Sequence, residues 1–170
     1  LGKIPTYKSK PDVKDCEYVL GRFCEGLITT ENYCFTRDFF LKEITEFCNQ
    51  KLLDLEIDLV FDILFDNNII IKLEEGFSFR AAYWIFYFAA KRMYVDSEFC
   101  KRILNDEMYT AFPEIIEFYT GIDRNRSEAL GILAEDLKNT CKTTEEKTGF
   151  PDDFNPLDNV SWELSKEELN

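Results

Sequence analysis

Histidine is absent from all 170 residues of this chain. Its absence removes the side chain that most often exchanges protons near neutral pH, and also the commonest metal ligand. The sequence also lacks a Walker A pattern, a Gly-x-Ser-x-Gly nucleophile elbow and the zinc-protease motif. These absences argue against an autonomous enzyme. We expect no catalytic residue, no metal site and no cofactor in this stretch of chain.

The six cysteines do not form any Cys-x-x-Cys pair, and no histidine is available to complete a zinc set. We expect buried thiols in a reducing compartment, which predicts a cytoplasmic protein. A disulfide or a redox role is the alternative.

Basic residues are few: 20 lysines and arginines face 33 aspartates and glutamates, giving a net charge of −13. An acidic surface repels phosphate backbones, so nucleic-acid binding is disfavoured. Long apolar runs are also missing, since the longest, from Ala81 to Ala90, has ten residues. As a helix it would be about 15 Å long, half the thickness of the hydrocarbon layer, which argues against a membrane span.

Apolar residues nevertheless make up 45% of the chain, and 16 phenylalanines supply material for a core. The length suits one domain with at most a small appendage. We expect a linker at 1–11, a winged-helix-like unit with an aromatic helix at 12–93, a helical extension at 94–141 and an acidic, mostly irregular tail at 142–170. Because the chain opens with Leu-Gly-Lys rather than Met, we expect it to be a fragment of a longer protein.

Three amphipathic helices followed by a β-hairpin are predicted in the first half of the chain. The first helix begins at Asp12, the second follows Thr36 as its N-cap, and the third covers 56–66. The stretch "NNIIIKLEEGFSFR" then has a β-rich run and a turn in which we expect Gly76 to supply a positive φ. The predicted fold is therefore mainly α: a winged-helix-like three-helix unit with one β-hairpin, extended by a helical bundle.

The most unusual stretch is "FSFRAAYWIFYFAAKRM", residues 77–93. A helix that is apolar on all sides is typically a buried central helix, so we interpret this one as core. The core candidates in and before it are Phe77, Phe79, Trp84, Phe86 and Phe88.

An acidic stripe is formed by Asp58, Asp62 and Asp66, which recur every four residues on the third helix. In DNA-binding winged helices this helix enters the major groove. The stripe, together with Glu74 and Glu75 at the tip of the wing, would lie against phosphates, which disfavours DNA binding. The stripe is instead a candidate face for a protein partner with a basic surface.

Arg80 lies between the hairpin and the aromatic helix, where its charge opposes the helix dipole. Two interpretations stay open. It is either a surface or salt-bridge arginine, or an anion contact, because a helix N-terminus and a guanidinium together suit a phosphate.

The whole order resembles the region that follows the ATPase core in STAND-type P-loop NTPases, the class that includes NACHT proteins and many bacterial anti-phage sensors. The resemblance covers about residues 15–140 and runs through "FTRDFFLKEITEFCNQKLLDLEIDLVFDILFDNNIIIKLEEGFSFR", "AAYWIFYFAAKRM" and "PEIIEFYTG". The matching positions in the strand and the aromatic helix are Phe77, Phe79, Arg80, Phe86, Phe88, Ala89, Ala90 and Lys91.

The resemblance implies a non-catalytic regulatory or scaffold segment of a larger NTPase in antiviral defence. Such a segment packs on the nucleotide-binding core and helps to hold the nucleoside-diphosphate state, often through a histidine near the end of the last strand. Arg80 stands at about that position and is the candidate nucleotide contact here. The partner would be the neighbouring ATPase domain, and ATP or ADP would bind in the parent protein. A stand-alone helical adaptor and a DNA-binding winged helix are the alternatives.

Overall fold

The computed structural model of the chain describes residues 11–105, 108–122 and 127–149. These residues are mainly helical and contain one small antiparallel hairpin, as the sequence predicts. In chain order the elements are α1 (Val13–Thr30), α2 (Arg37–Lys51), α3 (Ile57–Asp66), β1 (Ile70–Lys72), β2 (Phe77–Phe79), α4 (Ala82–Val95), α5 (Ser97–Asn105), a 3₁₀ turn (Met108–Thr110), α6 (Pro113–Ile122) and α7 (Ser127–Thr148).

The hairpin gains a third extended segment from the connection between α1 and α2. Ile70 pairs with Phe79 in the hairpin. On the other side of β2, Phe35 forms an isolated antiparallel bridge with Phe77, with N–H···O distances of 2.9 and 2.7 Å. The order helix, bridging strand, helix, helix and hairpin is that of a winged-helix unit.

Gly76 is needed for space and not for a positive φ, so the prediction of a left-handed turn residue was wrong. Its φ is not positive, and a Cβ at this position would lie 2.6 Å from the carbonyl oxygen of Phe35. Contacts this short do not occur for real Cβ atoms. The turn is therefore glycine because the backbone of the α1–α2 connection passes directly against it.

Three side chains begin the helices as caps. The carboxylate of Asp12 accepts from the backbone N–H of Asp15 at 2.7 Å, and the carboxylate of Asp15 accepts from the backbone N–H of Asp12. The hydroxyl of Thr36 accepts from the N–H of Phe39, which confirms the predicted N-cap of α2. Asp96 caps α5 in the same way. Each cap satisfies a backbone donor that the first helical turn leaves without a partner.

Helix α4 is central but is not buried on all sides. It packs most extensively on α1 and α6. Ile85, Phe88, Ala89 and Ala90 are buried, whereas Tyr83 is 48% exposed. Successive residues turn by about 100° around a helix axis, so this run of aromatic residues occupies several faces and no single core contains them all.

Only two of the five core candidates are fully in the core, namely Phe79 and Phe88. The other three, Phe77, Trp84 and Phe86, are half-buried at its edge. Each of these three rings still rests on another ring: Phe77 lies edge-on to Phe61 at 5.0 Å, Trp84 stacks on Phe88 at 5.9 Å, and Phe86 lies 6.0 Å from Phe112.

Helix α7 is longer than the sequence pattern predicts. The apolar period ends near Cys141, but the helix continues to Thr148, so the first residues of the expected irregular tail are helical. Threonine hydroxyls bond carbonyl oxygens four residues back, and Gly149 with φ 67° follows the last turn as a left-handed C-cap. The rest of that tail, 150–170, and most of the linker 1–11 lie outside the described residues.

The chain divides into two compact units, Leu1–Leu130 and Gly131–Asn170. The first contains the winged-helix-like unit together with α4, α5 and α6. The described part of the second is helical up to Thr148. This division differs from the expected domain boundaries at 93 and 141.

All six cysteines lie in the described ranges and are free thiols. Cys24 and Cys48 are buried, as expected, but Cys141 is exposed and the other three are half-buried. Burial raises the pKa of the Cys24 thiol well above its usual range. Within those same ranges, no helix combines the length and the apolarity that a membrane span needs.

Candidate functional site: helix α3, the hairpin and the start of helix α4

The acidic stripe of α3 is partly matched by a cation from the neighbouring helix. Nη2 of Arg37, the first residue of α2, lies 3.2 Å from Oδ1 of Asp58 and 3.0 Å from Oδ1 of Asp62. The same guanidinium lies 4.8 Å from the centre of the Phe61 ring. Both ion pairs are well exposed, so each adds little stability. Arg37 therefore contacts the first two aspartates of the stripe and reduces their net charge.

Asp66, the third member of the stripe, is exposed and makes no ion pair with any residue that the structure describes. Glu74 and Glu75 at the hairpin turn are exposed as well. The C-terminal end of α3 and the tip of the wing are therefore acidic. Helix α3 itself contains no lysine or arginine.

Arg80 is exposed at the junction between β2 and α4. Its backbone N–H donates to the carbonyl oxygen of Ile69 at 2.8 Å, which closes the open end of the hairpin. Helix α4 begins at Ala82 without a side-chain cap, so its first N–H groups have no side-chain acceptor. Among the described residues no ion pair joins Arg80 to the acidic stripe.

A buried charge cluster, which we name the Glu25 cluster, joins α1, α4 and α5. Glu25 is 7% exposed, and its carboxylate accepts from Nε of Arg92 at 2.9 Å and from Nη2 of Arg102 at 2.6 Å. Arg22 approaches the same carboxylate at 3.5 Å, and Arg92 also bonds Asp96. Three guanidinium groups thus surround one buried carboxylate, because a buried charge is tolerated only when it is paired and hydrogen-bonded.

Asp96 serves as both the cap of α5 and the second acid of the Glu25 cluster. Its pKa is lowered, first by the hydrogen bond from the backbone N–H of Phe99 and then by the charge of Arg92, while partial burial acts in the opposite direction. The ionised form is therefore the one that the folded chain stabilises.

A second polar contact joins the first half of α1 to α4. The Tyr87 hydroxyl donates to Oε1 of Glu17 at 2.5 Å, and Nζ of Lys91 lies 3.1 Å from Oε2. Desolvation and the bond to Glu17 raise the pKa of Tyr87. Desolvation acts to lower the pKa of Lys91, but the bonds and charges of Glu17 and Tyr87 outweigh it and the pKa is raised. The hydroxyl group of Tyr87 thus reaches an acceptor.

These contacts hold helices together, and none of them forms a nucleophile–base pair. Within the described residues, no group of three or more histidine, cysteine, aspartate or glutamate side chains is arranged to hold a metal ion. The chemistry that the arrangement offers is recognition: an acidic helix face, a wing and an exposed arginine at an uncapped helix start.

Two functional groups escaped sequence reasoning. Arg37 gives no local signal, because its partners are 21 and 25 residues further along the chain. Glu25 does give one: Glu17, Gly21 and Glu25 recur every four residues on α1 and so share one face of it. Two acids at this spacing beside buried positions indicate partners on the helix that packs there.

Compared with known proteins, the chain matches no protein-family model, no curated protein and no solved structure. The resemblance to STAND-type NTPases therefore stays a hypothesis that depends on the order of elements and on the residues quoted for it.

Proposed function

We propose that this chain is a non-catalytic regulatory or scaffold segment of a larger, cytoplasmic STAND-like NTPase. It packs on the nucleotide-binding core of that protein and relays its nucleotide state, in a role suited to antiviral defence. ATP or ADP binds in the parent protein and not in this segment.

The observation that carries the proposal is the order of elements around Arg80. The bridging strand, three helices and hairpin form a winged-helix-like unit, and β2 leads directly into the aromatic helix α4. This is the order on which the resemblance depends. Arg80 is exposed at that junction, beside the uncapped start of α4, which is the arrangement that a phosphate contact needs.

The first test is the coding sequence around this segment, in which we expect a Walker A motif upstream in the same reading frame. The second test is ADP release from the parent protein. We expect Arg80→Ala to accelerate release, whereas Lys72→Ala, which removes another exposed cation on β1, leaves it unchanged. A reading frame without a Walker A motif would end the proposal. Equal release rates in the two variants would remove Arg80 from it.

A stand-alone adaptor is the second candidate, and the acidic stripe of α3 is the observation that favours it. Asp66 is the cleanest position to test, because Asp58 and Asp62 already pair with Arg37 and their reversal would also disturb α2. We expect Asp66→Lys to abolish capture of a basic partner, while Glu46→Lys on α2 retains it. Capture of the same partner by both variants would count against the acidic face.

DNA binding is the third candidate and is disfavoured by charge. A DNA-binding winged helix would give a salt-dependent gel shift. We expect no shift even at low salt, because α3 and the wing present aspartate and glutamate where phosphates would lie.

A further inference from the structure

A groove of about 700 Å³ lies in the first unit, away from α3. Its walls are the second half of α1, the α1–α2 connection and the first half of α2, and it also borders the hairpin turn and α5. This volume is within the range of sites that hold small ligands or short peptide segments. The groove is separate from the acidic stripe and from Arg80, so a ligand for it is independent of the proposed function.

The groove has aromatic side chains along its base. Phe23 and Phe35 are buried there with ring centres 4.9 Å apart, and Phe39 lies 6.1 Å from Phe23 and is 46% exposed. A large exposed ring in a concave site offers apolar contact area and a face that attracts cations.

The charged groups of the groove differ in whether they are already paired. Arg22 and Arg102 lie at one end with 40% and 41% of their side chains exposed, and both bond the buried carboxylate of Glu25. Glu43 and Glu75 also line the groove but make no ion pair with any described residue. Among the described charged groups of the groove, those left unpaired are thus carboxylates.

The two unpaired carboxylates lie at opposite ends. Helix α2 runs antiparallel to α1, because Phe47 near its end contacts Tyr18 near the start of α1. Glu43 therefore lies toward Arg22, where positive and negative charges compensate each other. Glu75 precedes Gly76, which abuts Phe35 at the other end, and no described arginine lines the groove there.

We propose that this groove binds a short segment of a protein partner in which apolar side chains stand next to a basic one. The apolar side chains cover Phe23 and Phe39, and the lysine or arginine pairs with Glu75. Charge complementarity selects this occupant, since the chain carries a net charge of −13 and the unpaired groups of the groove are acidic. From Arg22 to Thr30 the groove follows about 12 Å of α1, enough for about four extended residues.

Three acetylated, amidated hexapeptides test the proposal by two-dimensional NMR titration of the chain. The probe has the sequence Leu-Leu-Gly-Lys-Lys-Gly. One matched peptide replaces the lysines by glutamates, and the other replaces the leucines by glycines. We expect only the probe to bind, with amide shifts confined to the groove. Equal binding of the glutamate peptide, or no binding of the probe, would overturn the proposal.

Matched variants separate the groove from diffuse attraction to an acidic protein. Glu43→Gln/Glu75→Gln and Glu46→Gln/Glu74→Gln change the same elements by the same charge, but only the first pair lines the groove. We expect the first pair of substitutions to lower the affinity for the probe about fivefold more than the second pair does. Equal weakening would mean that the attraction is diffuse and would refute the site.

Two single variants test the apolar base and the arginine end. Phe39→Ala should lower the affinity for the probe about tenfold. Phe65→Ala, which removes a similarly exposed ring on α3, should not change it. Arg102→Gln should raise it about twofold by removing a repelling charge, while Lys101→Gln on the outside of α5 should not. A concentration-dependent dimer that Phe39→Ala dissociates would overturn the proposal in favour of a second copy of the chain.

Discussion

Replacing Glu25 by glutamine tests whether the Glu25 cluster holds the first unit together. The amide keeps the shape of the side chain but removes the carboxylate that Arg22, Arg92 and Arg102 share. Arg92 is the critical partner, because its side chain is 8% exposed and cannot recover its hydration when the charge opposite disappears.

The loss of stability in Glu25→Gln is limited by the contacts and the hydration that the three arginines keep. Removing one partner of a buried ion pair generally costs about 3–5 kcal/mol. Arg92 keeps Asp96, and the other two arginines are near 40% exposed and regain water. We therefore expect Glu25→Gln to lower the free energy of unfolding by about 2–3 kcal/mol. For a chain of this length that corresponds to a melting temperature lower by about 4–12 °C.

Urea and thermal unfolding followed by circular dichroism measure the effect. Glu98→Gln is the matched control, since Glu98 pairs with Lys101 at 3.2 Å but both are largely exposed. That control should change stability by no more than about 0.5 kcal/mol. If Glu25→Gln costs no more than Glu98→Gln, the cluster does not stabilise the contact between α1, α4 and α5, and the reasoning is refuted.

Three other positions offer independent tests. Gly76→Ala should cost about 1–3 kcal/mol in a thermal melt, because its Cβ would displace the Phe35 carbonyl, whereas Gly26→Ala, with open space around it, should be neutral or stabilising. The folded pKa of Asp96 lies below its usual 3.8, so its contribution is complete above that value and is lost as pH falls through the folded pKa. Urea midpoints at pH 5 and pH 3 should therefore differ less in Asp96→Asn than in the parent chain, and an equal difference would contradict this. A thiol reagent should label exposed Cys141 first and spare Cys24 until the chain unfolds, and Cys141→Ser should remove the fast phase.

The order of elements was predictable because each element carries its own local signal. Apolar residues at helical spacing place α1, α2 and α3, and the caps Thr36 and Asp96 start their helices where their side chains accept N–H bonds. The β-rich run before Gly76 identifies the hairpin. These signals depend on neighbours within four residues, and so they survive without any knowledge of the tertiary structure.

The errors arise where distant parts of the chain meet. The role of Gly76 depends on the Phe35 carbonyl, some 40 residues earlier, and no turn rule contains that contact. The aromatic helix looked buried throughout, but only contact with α1 and α6 decides which rings face the core. Helix α7 continues past its apolar period because the lysines and glutamates of its last two turns are good helix formers, which sustain the helix through a fully exposed stretch.

Helix α1 packs against α4 at Gly21, where a larger side chain would obstruct the contact. A Cβ on Gly21 would lie 3.1 Å from the Phe88 carbonyl oxygen and 3.2 Å from Cβ of Arg92, so α1 and α4 are in close contact there. Glu25 follows one turn later and bonds the same Arg92. Because Glu25 also fixes Arg22 and Arg102 beside the groove, one carboxylate influences both the stability of the α1–α4 contact and the charge of the proposed peptide site. A change in peptide binding is therefore informative only in variants that leave Glu25 in place, as those at Glu43, Glu75, Phe39 and Arg102 do.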